Sequence, residues 1–289
     1  MSTTRAMLCF TPSLSRRLIA KGVAALPQVQ RAFEKGRVLL SSGTTGAHIF
    51  VELTGAWTGG ALACGMISLK GTCVGKAMSQ ILAKQGHAAF WFFEKGELKP
   101  VNDMDEVLGT MGAEDVLIKG ANALDNHGNV GVLLGVETGG LMGKALGYVM
   151  ARGIHCILPG GLEKTVMGSI MDTAREMGTR RVDFTTGMPV GLVPVAGARF
   201  SEIEALKQLT GVEVLHAASG GSAGAEGSVV LLAKGERDQV ERTMEIYKAL
   251  RADARFEGLT TEPSICAEHK WAPCAMHNFL YPDNVKKGV

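Results

Sequence analysis

Residues 37–53 read RVLLSSGTTGAHIFVEL. An apolar run, Val38 to Leu40, ends in Ser-Ser-Gly-Thr-Thr-Gly, and a second run follows with helical spacing at Ile49, Phe50 and Leu53. A strand, a small-residue turn and a helix start of this kind present bare backbone N–H groups, two threonine hydroxyls and the positive end of a helix dipole. A phosphate or a carboxylate suits that surface. Gly43, Thr44, Thr45 and Gly46 are therefore candidate ligand contacts; hydroxyls bonding locally within the turn are the alternative.

Other chemistry-bearing residues sit at the ends of later apolar segments. Lys119 closes the strand-like run DVLIK. A lysine there can pair with an anion or, once desolvated, form a Schiff base, or it can snorkel to solvent. Asn122, Asp125 and Asn129 punctuate the loop that follows, as hydroxyl-recognising groups or as turn formers. Glu137-Thr138-Gly139-Gly140 opens a helix, a second anion cradle or an ordinary acidic start. Glu163-Lys164 follows ILPGG and by itself reads as an exposed ion pair. The stretch 219–227, SGGSAGAEG, is Gly-dense enough to serve as a flap over a cleft or as a plain loop tip.

The tail carries Cys266, His269, Cys274 and His277 in the pattern C-x2-H-x4-C-x2-H. Two thiolates and two imidazoles can make a tetrahedral zinc site, so Zn2+ is the one cofactor the residues suggest. The alternative is an extended tail with free thiols.

The elements that must position these groups read as α/β. The chain has 289 residues, 46% hydrophobic, 20% charged and 6% aromatic, with 38 glycines. Thr11-Pro12-Ser13 starts a helix, and a shorter one ends at Gly36. Strands are expected over 38–40, 115–119 and 154–158, a hairpin around Lys70-Gly71, another turning at Lys95-Gly96, helical turns over 76–84, and helices over 104–111 and 139–152. Strand, helix, strand with short links predicts a parallel sheet covered on both faces. From Pro189 the order becomes βαββα(β), that of a split βαβ unit, with a final strand near Leu259. Three parts follow: residues 1–188 as a Rossmann-like ligand-binding domain, 189–260 as a ferredoxin-like domain, and 261–289 as an irregular tail.

A net charge of +2 without a basic block excludes a nucleic-acid footprint, and Arg16-Arg17 reads as a solvated pair. No apolar run is long enough to span a bilayer, and scattered cysteines without a secretory leader predict a cytoplasmic protein. The expected partner is a small anionic metabolite, with assembly as a homo-oligomer.

Three segments together resemble the superfamily of ribose-5-phosphate isomerase, glucosamine-6-phosphate deaminase, CoA transferases and methylthioribose-phosphate isomerase. SSGTTGAHIFVEL looks like the turn that holds the sugar phosphate there. DVLIKGANALDNHGNVGVLLGVETGGLMGKAL looks like the strand, acidic loop, hairpin and Gly-rich helix start of these enzymes, and IHCILPGGLEK like the strand that follows. The resemblance spans roughly residues 12–250 in element order. It implies a phosphorylated sugar or similar anionic metabolite, handled by isomerase or group-transfer chemistry, with a non-catalytic metabolite-binding or regulatory protein as the alternative. The family's loop acids are replaced here by Gly120-Ala121-Asn122-Ala123, and its helix-start Glu falls near Gly143. Lys119, Asp125 and Glu137 are left as the candidate catalytic groups, and Asn122, Gly139, Gly140 and Lys164 as further ligand contacts.

Overall fold

The computed structural model describes residues 3–55, 65–68, 71–75, 90–101, 103–196 and 199–253. The expected helical turns over 76–84, the strand near Leu259 and the tail with Cys266, His269, Cys274 and His277 lie outside the described residues. In chain order the elements are β1 (Thr4–Phe10), α1 (Pro12–Ala24), α2 (Pro27–Lys35), β2 (Arg37–Ser41), α3 (Thr44–Thr54), β3 (Gly65–Ser68), β4 (Gly71–Val74), β5 (Phe90–Glu94) and β6 (Glu97–Lys99). There follow α4 (Met104–Thr110), β7 (Val116–Ile118), β8 (Ala123–Leu124), β9 (Asn129–Leu134), α5 (Gly140–Arg152), β10 (His155–Pro159) and α6 (Ile170–Glu176). The last are β11 (Gly191–Ala196), β12 (Arg199–Phe200), α7 (Glu202–Thr210), β13 (Glu213–Gly220), β14 (Ser228–Gly235) and α8 (Arg237–Ala252).

The protein is mixed α/β around a six-stranded sheet ordered β12-β10-β7-β2-β5-β6. The sheet is mixed rather than wholly parallel. Strands β2, β7, β10 and β12 run parallel, while β5 and β6 add an antiparallel hairpin at one edge. The hairpin is closed by Lys95 and Gly96, both at positive φ, a two-residue turn whose twist matches the strands it joins.

Alternate residues of the central strands feed two cores. Val38, Leu40, Val116, Ile118 and Phe93 point to a core shared with α1, α2 and α3; Leu39, Leu117, Leu158 and Phe92 point to one shared with α4 and α5. Burial on both faces explains why β2 and β7 read as unbroken apolar runs.

A second, antiparallel sheet is ordered β1-β14-β13. Its inner residues, among them Leu8, Phe10, Val214 and Leu231, belong to the same core as α1 and the central sheet. Strand β1 was not legible in the sequence because Met7 and Cys9 face outward, which hides the polar half of the alternation. The strands just past residue 188 pair backwards along the chain. Strand β11 joins β9, and β12 joins β10, while β1 crosses over to β14. Among the described residues, no helix is long and apolar enough to cross a membrane.

Candidate functional site at the strand exits

The parallel strands β2, β7 and β10 end side by side. Strand β2 runs into Ser41-Ser42-Gly43 and directly into α3, whose N-cap is Gly43 at φ 145° with no side-chain cap bond and no acidic residue in the first turn. A Cβ at Gly46 would collide with the Ser41 carbonyl, so only glycine lets the helix begin so close to the strand end. Thr45 is buried and Thr44 half-buried. The orphan N–H groups of a helix start are thus aimed past Thr44 without a built-in anion.

The exit of β10 carries the densest chemistry. After Gly160-Gly161, a single 3-10 turn (Leu162–Lys164) carries Glu163 and Lys164. Lys164 Nζ donates to the Ala121 carbonyl at 2.7 Å, which spans the exits of β10 and β7. The Glu163 carboxylate folds over Gly161, and its Oε2 is buried with no hydrogen-bond partner among the described residues. Leu162 N donates to the Glu202 carboxylate at 3.0 Å. Glu202 is fully buried at the start of α7, a helix held by a Ser201–Glu204 capping box. Ser15 of α1 is buried beside Glu202, though its hydroxyl closes no well-aligned hydrogen bond.

Electrostatics tie these groups to Arg16 and His48. Burial pushes the Glu202 carboxyl up to about 7, helped by repulsion from Glu163 and opposed by Ser15 and the Leu162 N–H. Burial also holds Lys164 below the usual lysine range; nearby Arg16 adds to this, while Glu163 and Glu202 pull the other way. Arg16 is lowered by burial and partly compensated by Glu163. His48, on α3 just past the uncapped start, is lowered to about 3 by burial, then by Arg16 and Arg17, and is neutral at physiological pH. Two carboxylates and two basic side chains therefore meet at the exits of β7 and β10, with a neutral imidazole coupled to them through Arg16, at the kind of position where α/β sheets bind ligands. Environments that push pKa values apart in this way characterise acid/base sites.

The residues expected from sequence are placed unevenly. Lys164 belongs to this cluster, Gly43, Thr44, Thr45 and Gly46 form the start of α3 after β2, and Lys119 follows β7 with its N–H on the Ile157 carbonyl. Asp125 is buried and structural. Its oxygens accept from His127 N, Asn129 N and Asn129 Nδ2, each at 2.9 Å, and from Ile170 N at 3.2 Å. Asn122 Oδ1 accepts from Leu133 N and fixes the β8–β9 hairpin. Glu137 lies at the surface in a two-point ion pair with Arg180, beside the uncapped α5 start at Gly139 and Gly140. Its carboxyl is held low by the Arg180 hydrogen bond and charge. Among the described residues, no group of three or more His, Cys, Asp or Glu side chains could hold a metal.

Arg16, His48 and Glu202 were missed. Arg16 is not the solvated helix residue expected but packs half-buried against the cluster. Glu202 follows a Ser cap and looks in sequence like any first-turn acid. The one available signal was His48, a lone histidine on the apolar face of α3.

No protein-family model matches the chain, and no curated protein or solved structure matches it either.

Proposed function

We propose that the chain is a small-molecule enzyme that binds a phosphorylated sugar or a similar anionic metabolite at the exits of β2, β7 and β10. Isomerisation or group transfer is the reaction class. The observation that carries this reading is the cluster of half-buried Arg16, Glu163 and Lys164 with fully buried Glu202 at the exit of β10. Thr44 and the first-turn N–H groups of α3 hold the anion, with Arg16 supplying positive charge. Glu202, poised near neutrality, moves protons to and from the bound molecule. The order of β2, α3, β7 and β10 is compatible with the Rossmann-like half of the ribose-5-phosphate isomerase superfamily, and α7, β13, β14 and α8 with its ferredoxin-like part. Asp125 and Glu137 take no part in this chemistry, because hydrogen bonds and an ion pair already engage them.

The test is thermal stability against a panel of sugar phosphates, CoA esters and inorganic phosphate. A ligand at ~100 times its dissociation constant adds ~2.7 kcal/mol to native stability. A shift that disappears in Arg16→Gln/Thr44→Val supports the site; indifference to every anion removes it.

A metabolite-binding protein without turnover is the second reading, favoured by the locked carboxylate of Asp125 in the loop where the resembled enzymes carry catalytic acids. Glu202→Gln separates the two. An enzyme keeps ligand binding and loses turnover, whereas a binding protein shows no turnover in either form.

A further inference from the structure

We propose that Lys164 is a covalent nucleophile, forming an imine with a carbonyl compound that carries a phosphate or carboxylate. This deepens the anion-binding reading above and rests on it.

The placement of Lys164 carries the argument. Its Nζ donates to one backbone carbonyl, that of Ala121, and among the described residues it makes no ion pair with a carboxylate. A carbonyl accepts one N–H and leaves the nitrogen able to give up a proton, whereas a tight carboxylate contact would lock it as ammonium. Arg16 faces the same ground and opposes a second positive charge there, and burial acts in the same sense. Lys164 as a whole is half-buried rather than enclosed. Glu163 and Glu202 both act on the charge at Lys164, and the buried Glu163 Oε2 has no partner among the described residues.

The chemistry balances on these groups. The neutral amine adds to the carbonyl carbon, forming the C–N bond as the carbonyl π electrons move to oxygen. The nitrogen loses a proton and the oxygen gains one, giving a carbinolamine. Glu202, as the acid, protonates that hydroxyl; the C–O bond breaks and water leaves, and the nitrogen lone pair completes an iminium ion. The Glu202 carboxylate is then a base. Glu163 stands on the same side as a second carboxylate to take a proton from the carbon next to the iminium. Hydrolysis reverses the sequence, so no oxidant or reductant is consumed. The anionic substituent of the substrate sits on Arg16 and the start of α3.

Borohydride trapping tests this. The full-length protein is incubated with pyruvate, glyoxylate or dihydroxyacetone phosphate, reduced with sodium borohydride and mapped by peptide mass spectrometry. The expected result is one reduced adduct per chain, on Lys164, suppressed by inorganic phosphate, lost in Lys164→Arg and retained in Lys207→Arg on the exposed face of α7. Peptide mapping of the unsubstituted protein locates the adduct even if Lys164→Arg fails to fold. Adducts confined to exposed lysines overturn the proposal. So does a thermal shift with these anions and no adduct, which leaves the anion site standing. Neither shift nor adduct removes both.

Discussion

Glu202 ties the pH dependence of stability to one side chain. Its carboxyl keeps a proton to about pH 7 in the folded protein, against a reference value of 4.5. Between those values the native state binds more protons than the unfolded chain, so its contribution is complete below pH ~4.5 and is lost as pH rises towards 7. Glu202→Gln should flatten this slope and raise stability at pH 8 by up to about 3 kcal/mol, read by urea denaturation across pH. An unchanged slope would place the neutral carboxyl elsewhere. Asp125 works in the opposite sense. Burial alone would raise it, but hydrogen bonds from Asn129, Ile170 and His127 outweigh burial and hold the carboxyl low. Its contribution is present above pH ~4 and fades as pH falls through its folded value. Asp125→Ala strands four N–H donors and should cost about 3 kcal/mol or more, checked by the same denaturation. Loss of turnover in that variant should track unfolding, not chemistry.

The helix α7 delivers Glu202 to the site, and its start is fixed by local bonds. Ser201 accepts from Ile203 N, and Glu204 reaches back to Ser201 N at 2.7 Å. Ser201→Ala should cost about 1 kcal/mol and shift the Glu202 titration, followed by denaturation and by the pH profile of stability. A stability loss with an unmoved profile would show that Leu162 N alone holds the carboxylate. Such caps were legible in the sequence, as were the helix from Thr11-Pro12, the hairpin at Lys95-Gly96 and the glycine stop of α5 at Gly153, because each depends on neighbours in the chain. The short α6 and β8 were not, since they carry too few residues to show a period. The site was half legible for the same reason. The α3 turn is a local motif, while the meeting of Arg16, His48, Glu163, Lys164 and Glu202 comes from tertiary packing of α1, α3 and α7 around two strand ends.

Across the whole molecule, one core runs from the β1-β14-β13 sheet through α1 and α7 to the central sheet. Phe10, fully buried and edge-on to Tyr247 at 5.1 Å, sits near one end of it. Phe10→Ala should cost about 3–5 kcal/mol and lower a single melting transition, seen by calorimetry. Two separate transitions would contradict a shared core. The outer face of the same small sheet presents Met7, 76% exposed, and Leu215, 47% exposed, with Cys9 on the same strand as Met7. The pairing of β1 with β14 also sets a timetable. Phe10 is opposite Val229 and Thr4 opposite Gly235, so β1 can be hydrogen-bonded to β14 only after more than two hundred further residues have been added. At ~5–20 residues per second this is roughly ten to forty seconds of ribosome time. Throughout it β1, with Leu8 and Phe10 on one face and Met7 and Cys9 on the other, lacks its β14 partner and presents unpaired strand edges of the kind that invite pairing with other chains.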